Sequence, residues 1–145
     1  LNPAQIHFNL AHSGDLALLA ITRVGPVGID VERIREVKDA ADLVARFFCA
    51  RENELFQRLP ATEKPAAFFN LWTRKEALLK ATGEGIGKAL SEVEVSFLPG
   101  EPASLVSIAG DIDRAARWSL HELTPAAGDV GAVAVEGQNG RVREA

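Results

Sequence analysis

Thr62-Glu-Lys-Pro-Ala-Ala-Phe-Phe-Asn-Leu-Trp-Thr-Arg-Lys-Glu-Ala-Leu-Leu-Lys-Ala-Thr-Gly83 is the stretch whose reading decides the fold. Proline is tolerated in the first turn of a helix, where its missing N–H would have no partner anyway, and glycine is the residue type that ends one. Between Pro65 and Gly83, Phe68, Leu71, Trp72, Leu78 and Leu79 recur at helical spacing, so one long helix is predicted to run from Thr62 to Thr82.

Upstream of it, Asp39 is placed to cap a helix whose apolar residues Ala40, Leu43, Val44, Phe47 and Phe48 share a face, and a second short helix over 52–59 stops at Pro60. Further back, Ile6-His-Phe-Asn-Leu10 alternates like a strand and runs into a turn, Ala11-His-Ser-Gly14. Leu16–Thr22 is too apolar for a half-exposed strand, and a Gly25-Pro26 turn separates it from Val27-Gly-Ile-Asp-Val-Glu32. The simplest expectation is that these last two runs pair as a hairpin. Downstream, Val93–Phe97, Arg117–His121 and Val130–Val135 alternate as strands between clusters of Gly, Pro and Asp. The sum is an α+β domain, a mainly antiparallel sheet packed on a long helix with its helices on one side. Residues 1–136 are expected to form one lobe and 137–145 a polar, frayed tail.

Composition narrows the classes of function. A chain of 145 residues, 47% hydrophobic, can bury its own core. Sixteen basic residues against twenty acidic ones leave a formal charge of −4, so neither nucleic acid nor an anionic membrane is expected as a partner, and any anionic ligand must be held locally. Cys49 is the one cysteine, and with no apolar run of membrane-spanning length a reducing cytoplasm is the expected setting. The chain has no methionine and begins at Leu1, which reads as a piece of a longer protein.

Asp30 and Glu32 stand two apart in a strand, so both carboxylates leave the same face and can converge on one cation. Two acids so placed are more often a strand's solvated side, but an acid inside an apolar run needs a reason for its burial. Trp72, Glu76 and Lys80 fall at i, i+4 and i+8 on the long helix, with Lys75 beside them. An ordinary surface Glu–Lys pair over a core Trp is the competing reading. If Glu76 instead faces the strand acids, the three carboxylates make an oxygen site of the kind Mg²⁺ accepts, and nearby lysines would neutralise phosphate. Thr82-Gly-Glu-Gly-Ile-Gly87 follows a helix and does not open one, so it suits a close backbone pass better than a phosphate cradle. His12 can donate to a phosphate or be merely structural, and one cysteine with no suitably spaced histidines argues against zinc.

Taken in order, Phe8-Asn-Leu-Ala-His-Ser13, Gly28-Ile-Asp-Val-Glu32, Arg46-Phe-Phe48, Trp72-Thr-Arg-Lys-Glu-Ala-Leu-Leu-Lys80 and Gly83-Glu-Gly-Ile-Gly87 resemble the 4′-phosphopantetheinyl transferase superfamily over roughly residues 6–95. The strand ahead of Gly28 is similar to the surfactin-type branch, whose members have two lobes in one chain with coenzyme A between them. The resemblance implies that this is the second lobe and that the first is missing. It implies a Mg²⁺-dependent transfer of 4′-phosphopantetheine from coenzyme A to a serine of an apo acyl or peptidyl carrier protein, releasing 3′,5′-ADP. It further implies that Asp30, Glu32 and Glu76 hold the metal, that Glu76 and Lys80 act in catalysis, and that His12, Ser13, Asp30, Lys75 and Lys80 meet coenzyme A. Ala11 stands where the family usually has serine, which removes one hydroxyl contact to phosphate. The alternatives are a lobe that binds a carrier without catalysis, another Mg²⁺-dependent phosphoryl-transfer domain, and self-association across the surface a first lobe would cover.

Overall fold

In a computed structural model, which describes residues 5–83, 90–137 and 141–144, the chain runs β1 (His7–Ser13), β2 (Leu16–Thr22), β3 (Val27–Arg33), α1 (Ala40–Phe47), α2 (Ala50–Gln57), α3 (Lys64–Thr82), β4 (Val93–Val95), β5 (Leu105–Ile108), α4 (Ile112–Ala115), β6 (Trp118–Leu123) and β7 (Asp129–Glu136). The long helix forms as its sequence requires. Pro65 occupies its first turn, and Gly83 closes it in the left-handed region at φ 77°, donating its N–H to Leu79 O at 3.0 Å. From Ala67 to Leu79 nearly every residue of α3 is buried, Trp72 excepted, so the helix is a central strut and not a half-solvated cover.

All strand pairs are antiparallel. β3, β7 and β6 form one sheet with β7 in the middle, while β1–β2 and β4–β5 are separate ribbons. The expected hairpin of Leu16–Thr22 with Val27–Glu32 is corrected. β2 pairs with β1 instead, from Ser13↔Leu16 to His7↔Thr22, across a turn at Gly14 with φ 57°, and β3 pairs with β7 from Val27↔Val135 to Arg33↔Asp129. The Ala11-His-Ser stretch expected as a turn is therefore the end of strand β1. β5 and α4 were not anticipated, and α2 lies two residues earlier than expected. α2 is capped by a reciprocal pair in which Cys49 N donates to Glu52 Oε1 at 3.1 Å and the Cys49 side chain takes the Glu52 N–H. Asp39 precedes α1 but makes no side-chain cap bond. Among the described residues no helix is long and apolar enough to cross a membrane.

The strand β3 divides two cores. Val27, Ile29 and Val31 point toward the β1–β2 ribbon and pack with Ala11, Leu123 and Val133, while α3, β4 and the other face of β7 enclose the larger cluster around Phe56, Phe69, Leu78 and Phe97. The ribbon is apolar on its outer face as well, and β2 packs Leu16, Leu18 and Ala20 inward. Phe8, Leu10, Leu19 and Ile21, opposed as Phe8↔Ile21 and Leu10↔Leu19, are 57–70% exposed on its outer face, whereas Asn9, Ala11 and Ser13 turn inward.

β3 and α3 meet backbone to backbone. A Cβ on Gly28 would lie 1.9 Å from Ala77 O and 2.6 Å from Ala81 N, distances no side chain can occupy. Gly28→Ala is expected to force the strand off the helix and cost about 3 kcal/mol in denaturant unfolding, where wild-type stability in that variant would show that the two elements are not in such contact.

Candidate functional site

Because β3 alternates, the residues that share Gly28's face, Asp30 and Glu32, are delivered to α3. The helix answers with Glu76, one residue before the Ala77 carbonyl that abuts Gly28, and with Lys80 one turn later. Asp30, Glu76, Glu32 and Lys80 thus act electrostatically on one another. Glu76 is buried at 7% exposure, and Asp30 is half-buried.

Burial dominates the electrostatics. It pushes the Asp30 carboxyl from its ordinary 3.8 up to about 7, with the Lys80 ammonium opposing and the Glu76 and Glu32 carboxylates adding to the rise. Glu76 is raised for the same reason, again with Lys80 opposing and Glu32 adding. Asp30 Oδ2 and Glu76 Oε1 are buried without a hydrogen-bond partner. Acceptor oxygens left that way cost free energy until a proton or a cation joins them. Glu32 is the rim of the cluster. Its Oε2 takes long contacts of 3.4 and 3.5 Å from the Arg35 guanidinium, which lies 4.7 Å over the Phe69 ring and donates to Arg33 O at 3.0 Å.

Lys80 does more than neutralise. Its Nζ donates to Ile29 O at 2.6 Å and to Leu10 O at 3.0 Å, tying β1 to β3. Asn9 completes the tie, its Oδ1 accepting the Ile29 N–H at 2.9 Å. Sequence reasoning passed over Asn9 and Arg35. The available signal for Asn9 was a polar residue on the inner side of an alternating strand.

Lys75, expected at coenzyme A, is not brought to the acid cluster. Successive helix residues diverge by about 100°, so the neighbour of Glu76 faces away from β3. Lys75 is fully buried, paired with Glu52, donates to Leu90 O and Val93 O at 2.6 Å each, and lies 4.7 Å over the Phe48 ring. Burial lowers its pKa and Glu52 opposes the fall. Glu52 also accepts the Val95 N–H at 2.9 Å, so this ion pair fastens α2, α3 and β4 together. His12 is exposed on the outer face of β1, and Ser13 is half-buried on its inner face. The glycine-rich stretch after α3 lies, at residues 84–87, outside the described residues.

Among the described residues no three His, Cys, Asp or Glu side chains are placed so that together they could hold a metal ion. The cluster is instead an open oxygen site with two unsatisfied buried acceptors, which suits a hard cation that keeps water and substrate oxygens in its remaining positions. A cavity of about 620 Å³ lies elsewhere, between β2, β3, β6, β7 and residues 141–144, and includes none of these acids.

The raised Asp30 has a consequence for stability. A carboxyl at about 7 when folded and 3.8 when unfolded binds more protons in the native state, so its contribution to stability is complete below about 4 and is lost as pH rises through about 7. Metal-free protein should therefore become easier to unfold over that interval, and Asp30→Asn should flatten the slope and raise the melting temperature at neutral pH. An unchanged slope in the variant would mean that Asp30 is not buried against Glu76 and Glu32.

The chain is similar in sequence and fold to known proteins. The 4′-phosphopantetheinyl transferase HetI of Nostoc sp. is 48% identical over 130 residues, 90% of this chain and 52% of HetI. The 4′-phosphopantetheinyl transferase psf-1 of Bacillus pumilus is 36% identical over 134 residues, 86% of this chain and 56% of psf-1. The chain thus spans about half the length of these curated relatives. In fold it is similar to the holo-[acyl-carrier-protein] synthase of Helicobacter pylori, solved in complex with coenzyme A, with a TM-score of 0.54 at 24% identity over 77% of this chain and 99% of that one. With residues 26–135, the span holding β3, α3 and β7, matching the family's sequence profile, the chain belongs to the 4′-phosphopantetheinyl transferase superfamily.

Proposed function

We propose that this chain is the metal-binding lobe of an enzyme that transfers 4′-phosphopantetheine from coenzyme A to the serine hydroxyl of an apo acyl or peptidyl carrier protein. The observation that carries the reading is the pair of buried, unsatisfied carboxylate oxygens on Asp30 and Glu76, converging from β3 and α3 beside Lys80. A cation is what such a pair lacks, and carboxylate oxygens suit Mg²⁺; Asp30 and Glu76, with Glu32 at the rim, are the residues that would hold it. When bound, it supplies positive charge to the pyrophosphate of coenzyme A, where negative charge moves as the reaction proceeds.

The protein's own residues do the rest. In the transfer, the serine oxygen forms a bond to the β-phosphorus while the bond from that phosphorus to the oxygen of 3′,5′-ADP breaks, and the serine proton must leave. Glu76, buried on the face of α3 that meets β3, takes it directly or through a water. The ammonium of Lys80, fixed by the Ile29 and Leu10 carbonyls, offers its third N–H to phosphate. His12 and Ser13, at the end of β1, meet the nucleotide end of coenzyme A. The exposed outer face of β1–β2 is where the remainder of a longer chain, or a second copy, would pack.

The test is transfer of fluorescent pantetheine from labelled coenzyme A to an apo carrier protein with Mg²⁺, using this chain and an upstream-extended form. Asp30→Ala should abolish labelling, and Glu76→Gln should lower turnover at least about 100-fold while coenzyme A still binds. Undiminished turnover in Glu76→Gln would remove Glu76 as the base. Absence of both labelling and coenzyme A binding in either wild-type form would overturn the transferase reading.

A further inference from the structure

β1 and β3 lie side by side but form no ladder. The two backbone groups of Ile29 that β3 would offer to a neighbouring strand are taken by side chains instead, the N–H by Asn9 Oδ1 at 2.9 Å and the C=O by Lys80 Nζ at 2.6 Å. Ile29 O belongs to the peptide that joins Ile29 to Asp30, so the lock is made directly beside an acid of the site. Lys80 also holds Leu10 O, but that bond is exposed, whereas the Asn9 bond is part-buried and is β1's own grip on β3. A lost acceptor there would leave the Ile29 N–H unpaired, and the exposed Leu10 contact would be the remaining hydrogen bond from β1 to this junction, beside the packing of Ala11.

We propose that Asn9 is a positioning residue for coenzyme A. By docking β1 onto β3, it sets where His12 and Ser13, three and four residues farther along, stand relative to Asp30 and Glu76. Asn9 touches no reacting atom; it fixes the span between the groups that hold the nucleotide end and those that hold the pyrophosphate. This inference rests on the coenzyme A reading of the site. It explains why β1 places polar residues inward and leaves Phe8 and Leu10 outside: the inner face of the strand serves the lock.

The experiment compares wild type, Asn9→Ala and Asn9→Asp, the last keeping an acceptor oxygen at the same position. Coenzyme A affinity with Mg²⁺ is read by calorimetry, and Ile29 amide exchange and the His12 and Ser13 amide shifts by NMR. Asn9→Ala should weaken coenzyme A about tenfold, expose the Ile29 amide and move the His12 and Ser13 signals, with turnover at saturating coenzyme A within about twofold, while Asn9→Asp stays within about threefold of wild type. Should Asn9→Ala not fold, Asn9→Ser, too short to reach Ile29, takes its place. Unmoved His12 and Ser13 signals, or an Asn9→Asp variant as weak as Asn9→Ala, would overturn the inference. If the wild-type chain binds no coenzyme A, the transferase reading fails, and the amide readouts still decide whether Asn9 positions β1.

Discussion

Gly28 against the Ala77 carbonyl is the constraint on which the rest depends. A strand carrying any side chain at that position would have to stand off the helix, and Asp30 and Glu32 would no longer reach Glu76. Small residues surround the contact on every side. Ala77 and Ala81 line the helix, Ala132 and Ala134 line the β7 face that packs on α3, and a Cβ on Gly131 of β7 would come within 2.6 Å of Asp30 O. The result is a backbone-to-backbone approach that brings acids from two elements to one junction.

That arrangement works against the stability of the empty protein. Desolvation and mutual repulsion raise Asp30 and Glu76, and Lys80 only partly offsets them. The fold tolerates the burden because its anchors are elsewhere. Lys75 and Glu52 pair fully buried, Arg74 Nη1 donates to Ser96 O at 2.6 Å, and Asn70 Nδ2 donates to Phe97 O at 3.1 Å, so the far side of α3 is fastened to α2 and β4. One helix therefore has two jobs on opposite faces, with polar residues buried on both. That is why its buried side could not be read as a single apolar stripe.

Much of this was legible in the sequence because it rests on period and spacing. Pro65 and Gly83 bracket α3, the i, i+2 step places Asp30 with Glu32, and the i, i+4 step places Glu76 with Lys80. What was not legible depends on tertiary choice. β3 pairs with β7, more than a hundred residues away for Val27↔Val135, and the other edge of β3 is met at Ile29 by the side chains of Asn9 and Lys80, so neither edge takes β2. Lys75 resembled a phosphate ligand because its partner, Glu52, sits on another helix. Asn9 and Arg35 were hidden because each acts through a long-range contact, one with Ile29 and the other with Phe69, that local pattern does not encode.

The most direct measurement is paramagnetic broadening of backbone amide signals when Mn²⁺, standing in for the proposed Mg²⁺, is added to isotope-labelled protein with coenzyme A. Selective loss at Asp30, Val31 and Glu32 together with Glu76 and Ala77, reversed by excess Mg²⁺ and absent from Asp30→Asn, is the predicted result. Broadening spread evenly over the surface, or centred on the acids of β4 and its neighbours, would mean that the junction of β3 and α3 does not hold the cation.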